Sequence, residues 1–320
     1  MRVLPQLWLL LLAGCGSHPP ADPESIRKAL QVPFYHGELS PELLRTWKER
    51  DLVFEEVRFQ GRQGQWIAGL VCYSELARSR PLPALLCMPG SSNHKEELLS
   101  PLDLLPRWAD QRFFVLSIDR SPDQEGLMLQ RGLTGFWGDQ IYNLMRAIDY
   151  LQSRPEVAGE RIGMLGLSLG GMEALWLGAL DQRLKVVVSA AGHLAWSEVF
   201  RGDAWQLIFG ELELGRELVG RHATGAQAWD AFSTTYPQLA ALDAGLIAPS
   251  LAPRPLLLLT GEQDPYITPA TTRLVFEAAA PAYTSRGKAE CLEMWVEPEM
   301  GHGFSRAMQT RALDWFQRWL

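Results

Sequence analysis

From about residue 51 onward, short apolar runs alternate with polar and glycine-rich breaks, and the runs come in two lengths. Residues 52–59 and 66–73 read as two strands around a turn at Gly61–Gly64. Residues 83–88 (PALLCM) form an unbroken apolar run closed by Pro89-Gly90, the pattern of a strand buried on both faces. Strand and helix then take turns. Strands are predicted over 113–118, 161–166, 185–190, 255–260 and 291–296, and helices over 96–110, 138–153, 168–180, 269–280 and 304–320. In the last helix Met308, Ala312, Trp315, Phe316 and Trp319 fall on one face. Eight strands alternating with helices predict an α/β fold, with a mostly parallel sheet covered on both faces.

One stretch breaks this rhythm. Residues 193–252 contain helical patches but no clear strand, an insertion between the sixth and seventh predicted strands. A segment that long inside a compact domain is usually functional, and it reads as a cap over a site. Its aromatic residues Trp196, Phe200, Trp205, Phe209, Trp229 and Phe232 suit either contact with a substrate or the cap's own core.

The beginning of the chain has a different character. Met1-Arg2 is followed by an apolar run to Ala13, too short to span a bilayer as a helix and of the length of an export-signal core. The run ends in Leu12-Ala13-Gly14-Cys15, which resembles the lipobox of bacterial lipoproteins, where the cysteine becomes the lipidated N-terminus. The expected organisation is a signal peptide over 1–14, a lipidated Cys15 with a Pro-rich tether over 15–25, and a catalytic domain over 26–320. This implies export, with anchoring at a bacterial membrane through Cys15, at the outer membrane or the periplasmic face. Cys72, Cys87 and Cys291 each sit in an apolar run and read as buried, unpaired thiols, although Cys72–Cys87 is the pair nearest in sequence. There is no HExxH and no paired CxxC, so no metal is expected. A net charge of −7 disfavours nucleic acid as a partner.

The candidate chemistry lies at Gly166-Leu167-Ser168-Leu169-Gly170-Gly171, between a predicted strand and a predicted helix. A nucleophile on such a turn needs small residues two positions before and two after it, because the turn brings their backbones together. Ser168 is therefore the candidate nucleophile. In this arrangement a carboxylate and then a histidine must follow along the chain. Asp264 comes just past the strand 255–260 and His302 just past the strand 291–296, both on the edge of the sheet where ligands bind. Glu262 is the runner-up carboxylate, with Asp119 a third. His193 precedes Asp264 and reads as structural or pocket-lining. The oxyanion donors expected are the N–H of Leu169, directly after the nucleophile, and one from the loop 88–95 (MPGSSNHK).

Residues 146–192, TGEQDPYITP, MGHGF and the closing ALDWFQRWL together resemble bacterial dienelactone-hydrolase-like and acetyl-xylan-esterase-like α/β hydrolases. That family usually carries His-Gly where this chain has Pro89-Gly90, so the resemblance points to Ser91 N–H as the second oxyanion donor, with Ser92 as the alternative. The resemblance implies an α/β-hydrolase fold, a small-molecule ester substrate, a Ser168–His302–Asp264 triad, and no metal or organic cofactor. Two rival functions are a prolyl-oligopeptidase-type peptidase and a non-catalytic surface lipoprotein on a hydrolase scaffold. Prolyl-oligopeptidase enzymes usually carry an N-terminal propeller, and the roughly 35 residues between Cys15 and the first predicted strand argue against one here. A binding module has no need to keep all three triad residues. Oligomeric state and acyl preference are not legible in the sequence.

Overall fold

A computed structural model describes residues 21–34, 37–91, 94–120, 124–210 and 213–320. The expected signal peptide, Cys15 and most of the expected tether lie outside these residues. Among the described residues no helix is long and apolar enough to cross a membrane.

The described chain opens with helix α1 (Pro23–Leu30), with Asp22 as its N-cap and Pro23 in the first turn. Ile26 and Leu30 are buried. This helix therefore starts three residues before the expected boundary at residue 26. Strand β1 (Glu42–Glu49) pairs antiparallel with β2 (Leu52–Gln60), and β2 with β3 (Trp66–Ser74). The sequence reading did not include β1. Its sequence ELLRTWKE is almost wholly exposed, so no apolar face marks it. The sheet consequently has nine strands rather than eight.

The remaining elements alternate as expected: β4 (Leu82–Met88), α2 (Leu104–Asp110), β5 (Phe114–Ile118), α3 (Gln124–Ser153), β6 (Val157–Leu167), α4 (Leu169–Leu180) and β7 (Leu184–Ala190). Helix α3 is longer than its predicted stretch and is broken at Gly132, which has φ 67° and ψ 168°. The predicted helix 96–110 is a short 3-10 turn, Lys95–Leu98, followed by α2. The insertion follows β7 and contains α5 (Trp196–Val199), α6 (Ala204–Phe209), α7 (Glu213–Gly220), α8 (Gly225–Thr235), α9 (Pro237–Ala240) and α10 (Ala244–Ile247). Strand β8 (Leu256–Gly261), α11 (Pro269–Ser285), β9 (Leu292–Glu297) and α12 (Arg306–Trp319) complete the chain.

The strand order is β1-β2-β3-β5-β4-β6-β7-β8-β9, parallel from β5 to β9. The sheet is covered on both faces, which explains the continuous apolar runs. In β4, Ala84, Leu86 and Met88 face one core with α1, α3, α4 and α11. Leu85 and Cys87 face the other core with α2 and α12. Cys72, Cys87 and Cys291 are buried and free, and burial pushes all three thiols above their usual range.

The insertion packs on its own aromatic core. Phe200 lies within 5.3–5.6 Å, centroid to centroid, of Phe209, Trp229 and Phe232, and Trp205 is also buried. These rings are committed to one another. Trp176 Nε1 donates to Leu242 O at 3.3 Å, tying the end of the insertion to α4.

Gly138 of α3 sits directly against the C-terminal end of α1. A Cβ there would meet Leu30 O, and Gln31 C at 2.8 Å. Intrinsic helix propensity alone would make alanine better by about 1 kcal/mol. Overpacking of backbone on backbone costs about 1–3 kcal/mol. Gly138→Ala should therefore lower the urea unfolding midpoint at unchanged slope. An unchanged or raised midpoint would show that α1 does not pack on α3 in this way.

Candidate active site

The site grows from a single turn. Strand β6 ends at Leu167 and α4 begins at Leu169, leaving Ser168 between them with φ 53° and ψ −118°. A side-chain-bearing residue held there costs about 1–3 kcal/mol. The turn survives because its surroundings lock it. Ser168 N donates to Ala190 O at 2.7 Å on β7, and Gly171 N donates to Ser168 O at 2.8 Å. A Cβ at Gly166 would collide with Gly170 O and lie 2.6 Å from Gly171 N, so no larger residue fits at 166. A Cβ at Gly170 would come 2.6 Å from Met88 O and 2.8 Å from Pro89 O. The start of α4 is thus pressed against the loop that follows β4.

Two further loops leave the same edge of the sheet. Asp264 follows β8 and is buried. Its Oδ1 accepts from Tyr266 N at 2.8 Å and from Ile267 N at 2.9 Å, and its Oδ2 lies 2.8 Å from His302 Nδ1. His302 follows β9, and its Nε2 lies 2.9 Å from Ser168 Oγ. The loops bearing Asp264 and His302 are joined by Gln263 N donating to Met300 O at 2.8 Å, and by Glu262 N donating to Glu297 O at 2.8 Å. The Tyr266 ring packs edge-on against the imidazole at 4.7 Å. The structure therefore brings Ser168, His302 and Asp264 into one hydrogen-bonded line, with the histidine ring held on both sides.

The other carboxylates are engaged elsewhere. Glu262 Oε2 accepts from Glu299 N at 3.0 Å. Asp119 Oδ1 accepts from Lys95 N at 3.0 Å, and its Oδ2 accepts from Lys95 Nζ at 2.7 Å. His193 is fully buried, with Nδ1 3.3 Å from Ser189 Oγ and Nε2 2.8 Å from Thr272 Oγ1. Burial pulls its pKa down to about 4, against a smaller opposing pull from Asp264.

Leu169 is the first residue of α4, so its N–H has no partner within the helix and is available at the turn. Ser91 lies in the exposed turn after β4. Ser92 and Asn93 lie outside the described residues. Among the described residues no group of His, Cys, Asp or Glu is placed to hold a metal ion.

Two charged residues beside Ser168 escaped the sequence reading. Arg120, past the end of β5, and Glu173, in α4, are both buried and form an ion pair at 2.9 Å. Burial holds the Glu173 carboxyl above its usual range, with Arg120 pulling the other way. A signal for Glu173 was present in the sequence. It is the one charge in LGGMEALWLGAL, a helix otherwise without polar side chains, and a lone buried charge requires a partner.

An open cleft of about 530 Å³ lies between the insertion and the loop carrying Asp264. Glu198, Arg201, Asp203 and Gln206 line it from the insertion, and Pro265 and Thr268 from the loop.

An open-edged parallel sheet, a serine on the strand–helix turn, and an acid and a histidine from later loops define the α/β-hydrolase class. The profile of the prolyl oligopeptidase family matches residues 113–320, and the chain belongs to that family. It is 30% identical over 262 residues to a Bacillus subtilis (strain 168) protein named "Putative hydrolase YtaP", covering 75% of this chain and 79% of that one. It is 24% identical over 268 residues to dipeptidyl-peptidase 5 of Porphyromonas gingivalis, covering 80% of this chain but 36% of that longer protein. Among solved structures, acetyl xylan esterase 1 from Thermoanaerobacterium sp. JW/SL YS485 superposes with a TM-score of 0.68 at 20% identity, over 98% of both chains.

The buried histidine has a consequence for stability. His193 has a pKa of about 4 in the fold, against an ordinary value of 6.5. The unfolded chain therefore binds the proton first on acidification. The stability due to the neutral ring is complete above about pH 6.5 and is lost as pH falls toward about 4. His193→Asn should flatten the decline in unfolding free energy across that window. An equally steep decline in the variant would remove His193 as the cause.

Proposed function

We propose that this protein hydrolyses carboxylic esters through an acyl-enzyme formed on Ser168. The observation that carries this is the continuous line from Asp264 Oδ2 through the His302 imidazole to Ser168 Oγ, with contacts of 2.8 and 2.9 Å. Asp264 has one oxygen saturated by two backbone N–H groups, so its other oxygen is left for His302. That fixes the proton on Nδ1 and leaves Nε2 to accept the serine proton. Ser168 attacks the ester carbonyl, His302 takes the proton and passes it to the departing alcohol. Water then repeats the sequence on the acyl-enzyme. Leu169 N–H and Ser91 N–H receive the oxyanion. Ester rather than peptide cleavage is supported by the match to an acetyl xylan esterase over nearly the whole of both chains. The partial match to a dipeptidyl-peptidase makes amide cleavage an outcome to be measured. The cleft between the insertion and the Asp264 loop is the natural place for the alcohol part of the substrate, with the insertion as its cap.

Ser168→Ala should lower turnover of p-nitrophenyl acetate by about 10⁴–10⁶-fold in a folded protein. A fluorophosphonate probe should label Ser168 and no other residue. Asp264→Asn should lower kcat by about 10⁴-fold through the wrong histidine tautomer, while Glu262→Gln leaves it nearly unchanged. Greater damage from Glu262→Gln would reassign the acid. Faster cleavage of a peptide p-nitroanilide than of any ester in a panel would replace esterase with peptidase.

For location we propose that residues 1–14 are removed on export and that Cys15 carries the lipid anchor, since its position after an apolar run of that length fits a lipobox. More than one acyl chain is needed for stable anchoring, each buried CH₂ contributing about 0.8 kcal/mol. Expression of the whole gene should place activity in the membrane fraction, and Cys15→Ser should release it. Soluble enzyme retaining Met1 would refute the anchor and leave the catalytic proposal untouched.

A further inference from the structure

The loop after β4 carries the peptide unit that joins Gly90 to Ser91. Arg120 grips that loop from beneath. Its Nη1 donates to Gly90 O, and its Nη2 donates to Pro89 O at 2.8 Å. The other side of the guanidinium faces Glu173, with Nη2 to Oε2 at 2.9 Å and Nε to Oε1 at 3.3 Å. Glu173 sits five residues after Ser168 on α4, so this one fork ties the loop to the helix that carries the nucleophile. Asp119, the neighbour of Arg120, holds Lys95 through both its backbone N–H and its ammonium. Two consecutive residues at the end of one strand therefore hold Pro89 and Gly90 on one side and Lys95 on the other.

We infer that Arg120, oriented by Glu173, is the positioning residue of the oxyanion hole, setting the Gly90–Ser91 peptide so that Ser91 N–H faces the oxygen on the carbon attacked by Ser168. This rests on the serine-hydrolase reading above. A trans peptide is planar, and its C=O and N–H point in opposite directions. Fixing Gly90 O on a buried guanidinium therefore turns the Ser91 N–H away from the protein interior. The positive charge on the carbonyl also polarises the amide and strengthens its N–H as a donor. Only a planar fork can take a carboxylate on one side and two successive carbonyls on the other. A buried ion pair is a weak source of stability, since well-packed apolar residues often serve as well. Its place between the nucleophile helix and this loop accounts for it better than a contribution to the core does. The Pro89-Gly90 stretch offers no polar side chain to fix it, so the loop is held through its backbone by Arg120.

The test compares wild type with Arg120→Met, Arg120→Lys and Glu173→Gln. It reads the second-order rate of fluorophosphonate labelling at Ser168, kcat and KM for p-nitrophenyl acetate, and the Ki of a trifluoromethyl ketone. Misplacing a catalytic group by about 1 Å costs about 10²-fold. Arg120→Met and Arg120→Lys should lose about 10²-fold in both labelling rate and kcat, with KM within about threefold of wild type. Ki should rise in proportion to the fall in kcat/KM, a split that a merely structural residue would not produce. Glu173→Gln, nearly isosteric, should lose about tenfold in the same pattern, and it carries the test if the Arg120 variants do not fold. Folded variants with wild-type labelling and kcat, or a loss confined to KM, would overturn the role of Arg120. Failure of the probe to label Ser168 in the wild type would instead overturn the serine-hydrolase reading, and this inference with it.

Discussion

The backbone at Ser168 is the constraint on which the rest of the site depends. With φ 53° and ψ −118°, the residue occupies a conformation that no isolated strand or helix would hold. It is stable only because β7 accepts its N–H, Gly166 and Gly170 let the turn close, and the loop after β4 lies flat against the start of α4. The same turn places Oγ 2.9 Å from His302 Nε2 and brings the loop after β4 alongside the start of α4. Ser168, the helix terminus and the loop are therefore one mechanical unit.

The sheet supplies everything else the site needs. Its parallel strands are buried on both faces by two separate cores, so the strand ends are rigid. Loops leaving those ends can hold Asp264 and His302 to within hydrogen-bond distance across 38 residues of sequence. The polar groups around the site follow a consistent logic. Each buried charge is answered by a backbone N–H, a backbone carbonyl or an opposite charge: Asp264 by Tyr266 and Ile267, Arg120 by Pro89 and Gly90, and Glu173 by Arg120. His193, buried without a charged partner in contact, stays neutral instead. Family membership makes this chain an α/β hydrolase. The helical insertion spends its aromatic residues on its own core, and its polar residues line the adjoining cleft.

The sequence by itself determined the alternation of strands and helices, because a strand buried on both faces must be apolar throughout and helices must cover it. It also determined the candidate nucleophile, acid and base, because the strand–serine–helix turn demands glycines at fixed offsets and the partners must follow at later strand ends. It could not show β1, whose exposed residues carry no periodic signal, and it ranked Asp264 ahead of Glu262, two residues apart on one loop, without showing what either contacts. Only the tertiary structure decided that Glu262 is engaged by Glu299 N–H while Asp264 meets His302, that the insertion's aromatics pack on one another, and that Asp119 serves Lys95. It alone revealed Arg120 beneath the loop after β4, paired with a glutamate 53 residues away in sequence. Local pattern records what each residue needs, burial or a turn. Which partner satisfies that need is set by the closeness of distant strand ends, which no sequence spacing encodes.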